Sequence, residues 1–194
     1  MNCPATVTLT RCTWAEGGDA AMQQYHDTEW SIPQHDDHAL FEMLTLEGAQ
    51  AGLSWRSILV RRQAYRDAFH DFDFGRISRT SDQELEAVLA TSGVIRNRLK
   101  VFSVRSNALA VLGVVASHRS LDKYLWSFTD GMPVVNRWTD ASQVPATTPL
   151  SDRMSKQLRR DGFSFVGSTI CYAFMQAIGM VNDHLVGCFR HAKP

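Results

Sequence analysis

A chain of 194 residues can build one substantial core, as a single domain or as two small lobes. Its 20 Lys and Arg balance 20 Asp and Glu, so composition does not announce a nucleic-acid binder, and a DNA enzyme would have to gather its cations on one face. The N-terminus has no basic stretch leading into an apolar run, and the longest apolar run, Ala108 to Ala116, is too short for a bilayer; both point to the cytoplasm. Four scattered cysteines in that setting read as metal ligands or buried thiols before disulfides.

Residues 1 to about 11 read as a polar, poorly ordered leader, with one domain from 12 to 190. Between Arg11 and Trp30 the aromatic and ligand-type residues crowd together without helical period: Cys12, Trp14, Tyr25, His26, Asp27 and Glu29. Asp36-Asp37 caps a central helix in the stretch Leu40 to Trp55, LFEMLTLEGAQAGLSW, which has almost no polar face and must be buried on most sides, and Gly52 to Trp55 ends it. Glu47 falls on its Leu40, Leu44, Ala51 stripe, so this carboxylate either reaches the surface or faces something that repays its desolvation. Ser57 to Phe69 reads as a second helix, with Ile58, Leu59, Tyr65 and Phe69 inward and Arg61, Arg62 and Arg66 outward.

A capping box, Ser81 to Glu84, opens a third helix, and Arg96 to Ala116 is a long amphipathic one. Ser120 caps a short helix, Met132 to Pro149 is irregular, and Ser151 restarts a helix that runs to Arg160. Helices return from Ser168 to Gly179 and near Asp183 to Phe189. No segment alternates as a strand does, so the expected class is all-α.

Asp161 to Ile170, DGFSFVGSTI, joins two of these helices in a helix-hairpin-helix pattern over about 152–179. The free amides that start the second helix suit a phosphate, and such contacts bind DNA without reading sequence. The hairpin of DNA-binding examples has two glycines, and Phe165 stands where the first would be, so an ordinary helical hairpin competes. His184 and Cys188, at i and i+4 on the last helix, can touch one ion, and Cys12 with His26 would complete a Cys₂His₂ zinc set. A core histidine and an inert thiol form the alternative. Trp14, Tyr25 and Trp55 flank Glu47 in a slot suited to a planar, polar or cationic ring, or else they simply fill the core.

Several runs occur together: Arg11-Cys12 with Trp14, Tyr25-His26-Asp27 with Glu29-Trp30, and Leu46-Glu47-Gly48 with Gln50 to Trp55. They continue with Ile95-Arg96 and Arg98, Trp126-Ser127-Phe128, Gly162-Phe163, Phe165-Val166-Gly167, Thr169 to Tyr172, Phe174 to Ala177, and Val181 to His184 with Val186-Gly187-Cys188. In this order, from Arg11 to Cys188, they resemble the DNA-3-methyladenine glycosylase I family, bacterial repair enzymes of the helix-hairpin-helix superfamily. The resemblance implies a glycosylase fold in which one zinc, on Cys12, His26, His184 and Cys188, ties the two ends of the chain together. It implies that Glu47 recognises the base and serves the reaction, that Trp14, Tyr25 and Trp55 line the base slot, and that Gly52 and Leu53 enter the gap left by a flipped nucleotide. Phe163, Ser164, Phe165, Val166, Gly167 and Ser168 become the DNA-backbone contact. The implied partners are alkylated double-stranded DNA, taken without sequence preference, and free 3-methyladenine as product, with the protein a monomer.

Three departures stand out: Met22 replaces a pocket aromatic, Ser31 replaces the glycine after Trp30, and the Cys12–Tyr25 segment is slightly longer. Two rival readings remain. A zinc-stapled DNA-binding module without chemistry would not need Glu47 and Trp55 together, and a zinc hydrolase would need an open metal position that a complete Cys₂His₂ set lacks.

Overall fold

The computed structural model describes residues 9–90 and 93–191, so most of the expected leader, with Cys3, lies outside the described residues. The end of that leader is tied down: the Thr10 carbonyl accepts from the Phe189 amide at 2.9 Å, and the Arg11 guanidinium forks onto Asp27. The regular structure of the described chain is almost wholly helical. It begins with α1 (Thr13–Glu16) and α2 (Ala20–Thr28), the latter capped by Asp19, which accepts from the Met22 amide.

Then comes α3 (Asp37–Gln50), opened by the Asp36 carboxylate on the Ala39 amide at 2.8 Å. Every residue from Leu40 to Ala49 is buried, as its near-absence of a polar face requires. After it follow α4 (Trp55–Leu59), α5 (Arg62–Ala68), α6 (Phe74–Ile77), α7 (Asp82–Ala90), α8 (Arg98–His118) and α9 (Leu121–Trp126). A two-residue strand β1 (Val134–Val135) precedes α10 (Pro149–Arg160) and α11 (Ser168–Ala177), and β2 (Val181–Asn182) pairs with β1 in parallel, Val134 facing Val181. The core is built round α3, which packs on α4, α8, α9 and α11.

Four expectations are corrected. The helix expected over Ser57–Phe69 is two, because the Ser57 carbonyl takes the Arg61 guanidinium at 2.6 Å while the Arg61 amide turns back to Ile58. Arg62 points inward, where Glu42 and Glu29 pair with it and Arg66 shares Glu42. The irregular stretch after Met132 holds a strand, too short to show any alternation. The segment from Asp183 to Phe189 is not helical; it leaves β2 and closes in turns, with the Cys188 amide on the Leu185 carbonyl at 2.7 Å.

By length and composition alone α8 could cross a membrane, although no single apolar run in it is long enough. Its packing on α3, α6, α7 and α9, with Val101, Val104, Ala108 and Val111 buried in one stripe, is that of a core helix.

Candidate base pocket and metal cluster

Where α3 meets α2, α4 and α11 the packing leaves a cavity of about 270 Å³. Trp14, Tyr25, Trp30 and Trp55 wall it, Met22, Ala173 and Gln176 fill the gaps between them, and Glu47 and Gln50 reach it from α3. Three of its four aromatics and its carboxylate are the residues expected there. Trp30, Gln50 and Gln176 were not assigned to it. Gln50 was legible, since it lies three residues after Glu47 on the same helical face; Gln176 comes from a distant helix, and only the fold brings it in.

Glu47 is buried, and its Oε2 has no hydrogen-bond partner among the described residues. Burial with no compensating charge pushes its carboxyl up to about 8, so at neutral pH it is largely a neutral acid. Five residues earlier on α3, Glu42 is also buried. There burial is outweighed by hydrogen bonds from Arg66 and Arg62, and the carboxyl is held below its ordinary range. An orphaned carboxyl next to a cavity is the arrangement a ligand can complete. Tyr25 packs on Trp55 with ring centroids 5.1 Å apart, and Trp14 meets Trp30 edge-on at 5.1 Å.

Behind Trp14 and Trp30 sit Cys12, His26, His184 and Cys188, all buried, with ligand atoms within 4.8 Å of one another; the group can hold a metal ion. The outer ring nitrogens are engaged, His26 Nδ1 with Asp27 at 2.8 Å and His184 Nε2 with the Trp30 carbonyl at 3.3 Å, which aims Nε2 of His26 and Nδ1 of His184 into the cluster. Burial lowers both imidazoles, His184 to about 3, and so favours the neutral, ligating form. The expected pairing of His184 with Cys188 thus holds, but a tight turn brings them together and a helix face does not. Trp14 lies 5.2 Å from the His26 ring and Trp30 lies 4.6 Å from the His184 ring, so the cluster backs the pocket wall directly.

Asp183, at the head of the helix expected near Asp183 to Phe189, has another task. Its Oδ1 accepts from Asn136 and Trp138, both at 2.7 Å, and its Oδ2 from Tyr172 at 2.6 Å and Gln176 at 2.7 Å. It thereby joins the 132–149 segment to α11 and fixes the amide of a pocket residue.

Two loops adjoin helices that line the pocket, one after α3 and one before α11. Past α3, Gly52 takes φ +77 and Leu53 is exposed. Between α10 and α11 the hairpin passes through Phe165 at φ +56, so the left-handed step usually given to glycine is made here by phenylalanine. The hairpin amides are not equivalent. Phe163 donates to the Leu158 carbonyl at 3.0 Å and Ser164 to Asn107 at 2.8 Å, whereas those of Phe165 to Ser168 have no partner among the described residues.

The profile of the methyladenine glycosylase family matches residues 14–191. DNA-3-methyladenine glycosylase 1 of Escherichia coli is 43% identical over 180 residues, 93% of this chain and 96% of that protein. The crystal structure of a 3-methyladenine DNA glycosylase I superposes with a TM-score of 0.91 at 45% identity, covering 94% of this chain and 100% of that one. A variant of such an enzyme in complex with 3-methyladenine also gives 0.91, at 30% identity over 94% of this chain and 98% of its own. With the family profile covering nearly the whole chain and relatives above 40% identical along their full length, this protein belongs to the methyladenine glycosylase family.

Proposed function

We propose that the protein excises N3-methyladenine from alkylated double-stranded DNA, hydrolysing the N-glycosidic bond of a flipped nucleotide and leaving an abasic site. The observation that carries this reading is the single unpartnered carboxyl of Glu47 in an aromatic slot. Methylation at N3 makes the ring cationic. Faces of Trp14, Tyr25 and Trp55 favour such a ring, and its charge draws Glu47 toward the carboxylate form by lowering a pKa that burial alone has raised. The C1′–N9 bond breaks with its electron pair passing to the base, which departs neutral as 3-methyladenine; water adds to the oxocarbenium-like sugar and releases a proton. Because the leaving group already bears the charge, no strong acid is needed, and Glu47 serves chiefly to recognise the base. Normal bases lack both the charge and the easy departure. Base flipping itself is helped by Gly52 and Leu53 entering the vacated gap.

The zinc reading fits the donor set. Bonds of about 2.3 Å to sulfur and 2.0–2.1 Å to nitrogen round a tetrahedral centre place S and N about 3.6 Å apart. Cys12 Sγ to His184 Nδ1 is 3.5 Å, and Cys188 Sγ to His26 Nε2 is 3.4 Å. Bound there, zinc supplies the charge that lets two buried thiolates coexist and cross-links the N-terminal segment to the C-terminal turn. Four protein ligands close the site, which makes its role structural. The hairpin grips phosphates through the amides of Phe165 to Ser168, with no sequence readout. The protein acts as a cytoplasmic monomer.

Incubation with methylated duplex DNA, followed by chromatography of the released base, tests the activity. Release of 3-methyladenine is the expected result. Binding of the DNA with no base released would leave only a binding module.

A further inference from the structure

The Gly52–Leu53 loop and the Phe163–Ser168 hairpin come from opposite halves of the chain, yet one face of α8 holds both. Lys100 Nζ donates to the carbonyls of Ala49 at 2.8 Å and Ala51 at 2.6 Å. These are end-of-helix acceptors of the kind a helix leaves without amide partners, and they lie immediately before Gly52 turns the chain away. A cation at that C-terminal end also suits the helix dipole.

Two turns further along α8, Asn107 brackets the hairpin: its Nδ2 donates to the Ser164 carbonyl at 3.1 Å and its Oδ1 accepts the Ser164 amide at 2.8 Å. Seven residues place the two side chains about 10.5 Å apart along one helical face. Between them α3 touches the hairpin itself, since a Cβ on Gly48 would stand 3.2 Å from Phe165 Cβ. Lys100, Asn107, Gly48 and Phe165 border one narrow crevice. Neither loop can shift by a residue's width without breaking a bond to α8.

We infer that Lys100 and Asn107 are positioning residues that set the distance between the gap-entering loop and the phosphate-gripping hairpin. Both side chains use their polar groups inside the protein, on Ala49, Ala51 and Ser164. Their effect is that Leu53 meets the base stack at the point where the hairpin amides hold the strand. The inference rests on the DNA-contacting roles proposed above for Leu53 and for the hairpin, and the experiment separates the two.

Lys100→Met keeps the aliphatic stem and removes the donors. Single-turnover excision from methylated duplex should fall about tenfold to a hundredfold, the scale of a misplaced reacting group, while calorimetric affinity for free 3-methyladenine stays at the wild-type value. Asn107→Leu should show the same split, and Lys100→Arg, which retains donors, should recover most of the rate. Leu53→Ala is measured alone and with Lys100→Met, and the lysine change should add nothing once the loop tip is gone. Wild-type excision by Leu53→Ala would remove the loop's role and the inference with it. A slow Leu53→Ala beside a fully active Lys100→Met would overturn the inference alone. Loss of free-base affinity in Lys100→Met and Asn107→Leu would overturn it too, by showing that α8 supports the pocket rather than the spacing of the loops.

Discussion

Glu42 and Glu47 are buried on the same helix and titrate in opposite directions because one has two arginines and the other has none. A hydrogen bond between neutral partners contributes roughly 0.5–1.5 kcal/mol, so Glu47→Ala should weaken free 3-methyladenine binding by about twofold to tenfold in calorimetry. An unchanged affinity would make Glu47 a core residue. The raised carboxyl also leaves a mark on stability. Folded Glu47 keeps its proton up to about 8, while in the unfolded chain it loses the proton in the ordinary carboxyl range. Between those limits the native state binds more protons, so its contribution is full in acid and fades as pH rises, with a slope approaching about 1.4 kcal/mol per pH unit. Glu47→Gln should flatten that decline; melting curves of both proteins from pH 5 to 8.5 decide it, and parallel curves would refute the assignment. Burial of Glu47 could be read from its apolar neighbours in the sequence. The inward turn of Arg62 could not, because its partner Glu42 lies twenty residues away and an exposed arginine stripe has the same pattern.

At the scale of elements, the segments legible in sequence were those with local signals. Asp36 before α3, the Ser81–Glu84 box before α7 and Ser120 before α9 all cap as expected. What escaped was set by distant partners: β1 exists only because β2 lies beside it, and the turn carrying Cys188 is shaped by the cluster it completes. Ser31 and Phe165 belong to the same lesson. Each stands where glycine was expected and still takes positive φ, +62 and +56; Ser31 is held by its hydroxyl on the Val181 carbonyl at 3.1 Å. Gly179 permits no such substitute. At φ +73, a Cβ there would lie 2.4 Å from the backbone of both Ile32 and Pro33. Gly179→Ala should therefore cost about 3 kcal/mol or more, from overpacking and left-handed strain together. Urea denaturation measures it, and a loss below 1 kcal/mol would contradict the close approach.

For the whole molecule, the first and last described segments meet at the cluster and the pocket leans on it. Protein purified without chelator should carry one zinc by elemental analysis. Cys188→Ala should lose it along with about 3 kcal/mol or more of stability, roughly 6–12 °C in melting temperature for a chain of this size. A variant that kept its melting temperature would show that the cluster needs no metal. Zero net charge has its own consequence: few phosphates can be neutralised at once, so the logarithm of DNA affinity should fall with the logarithm of salt at a slope shallower than about −6. A titration with no salt dependence would exclude phosphate contact by the hairpin.

The tryptophans that wall the cavity give the protein an optical signal of its own. Three of the five in the chain, Trp14, Trp30 and Trp55, border the cavity, and two of those rest on the rings of the cluster histidines. Much of the intrinsic emission therefore arises beside the proposed base site and the cluster. A base stacked on the indoles should quench them, whereas stripping an ion from the cluster should loosen the imidazoles behind Trp14 and Trp30 and shift their emission to the red as water enters. One emission spectrum should then distinguish the two events, the first by intensity and the second by wavelength, without any label attached to the protein.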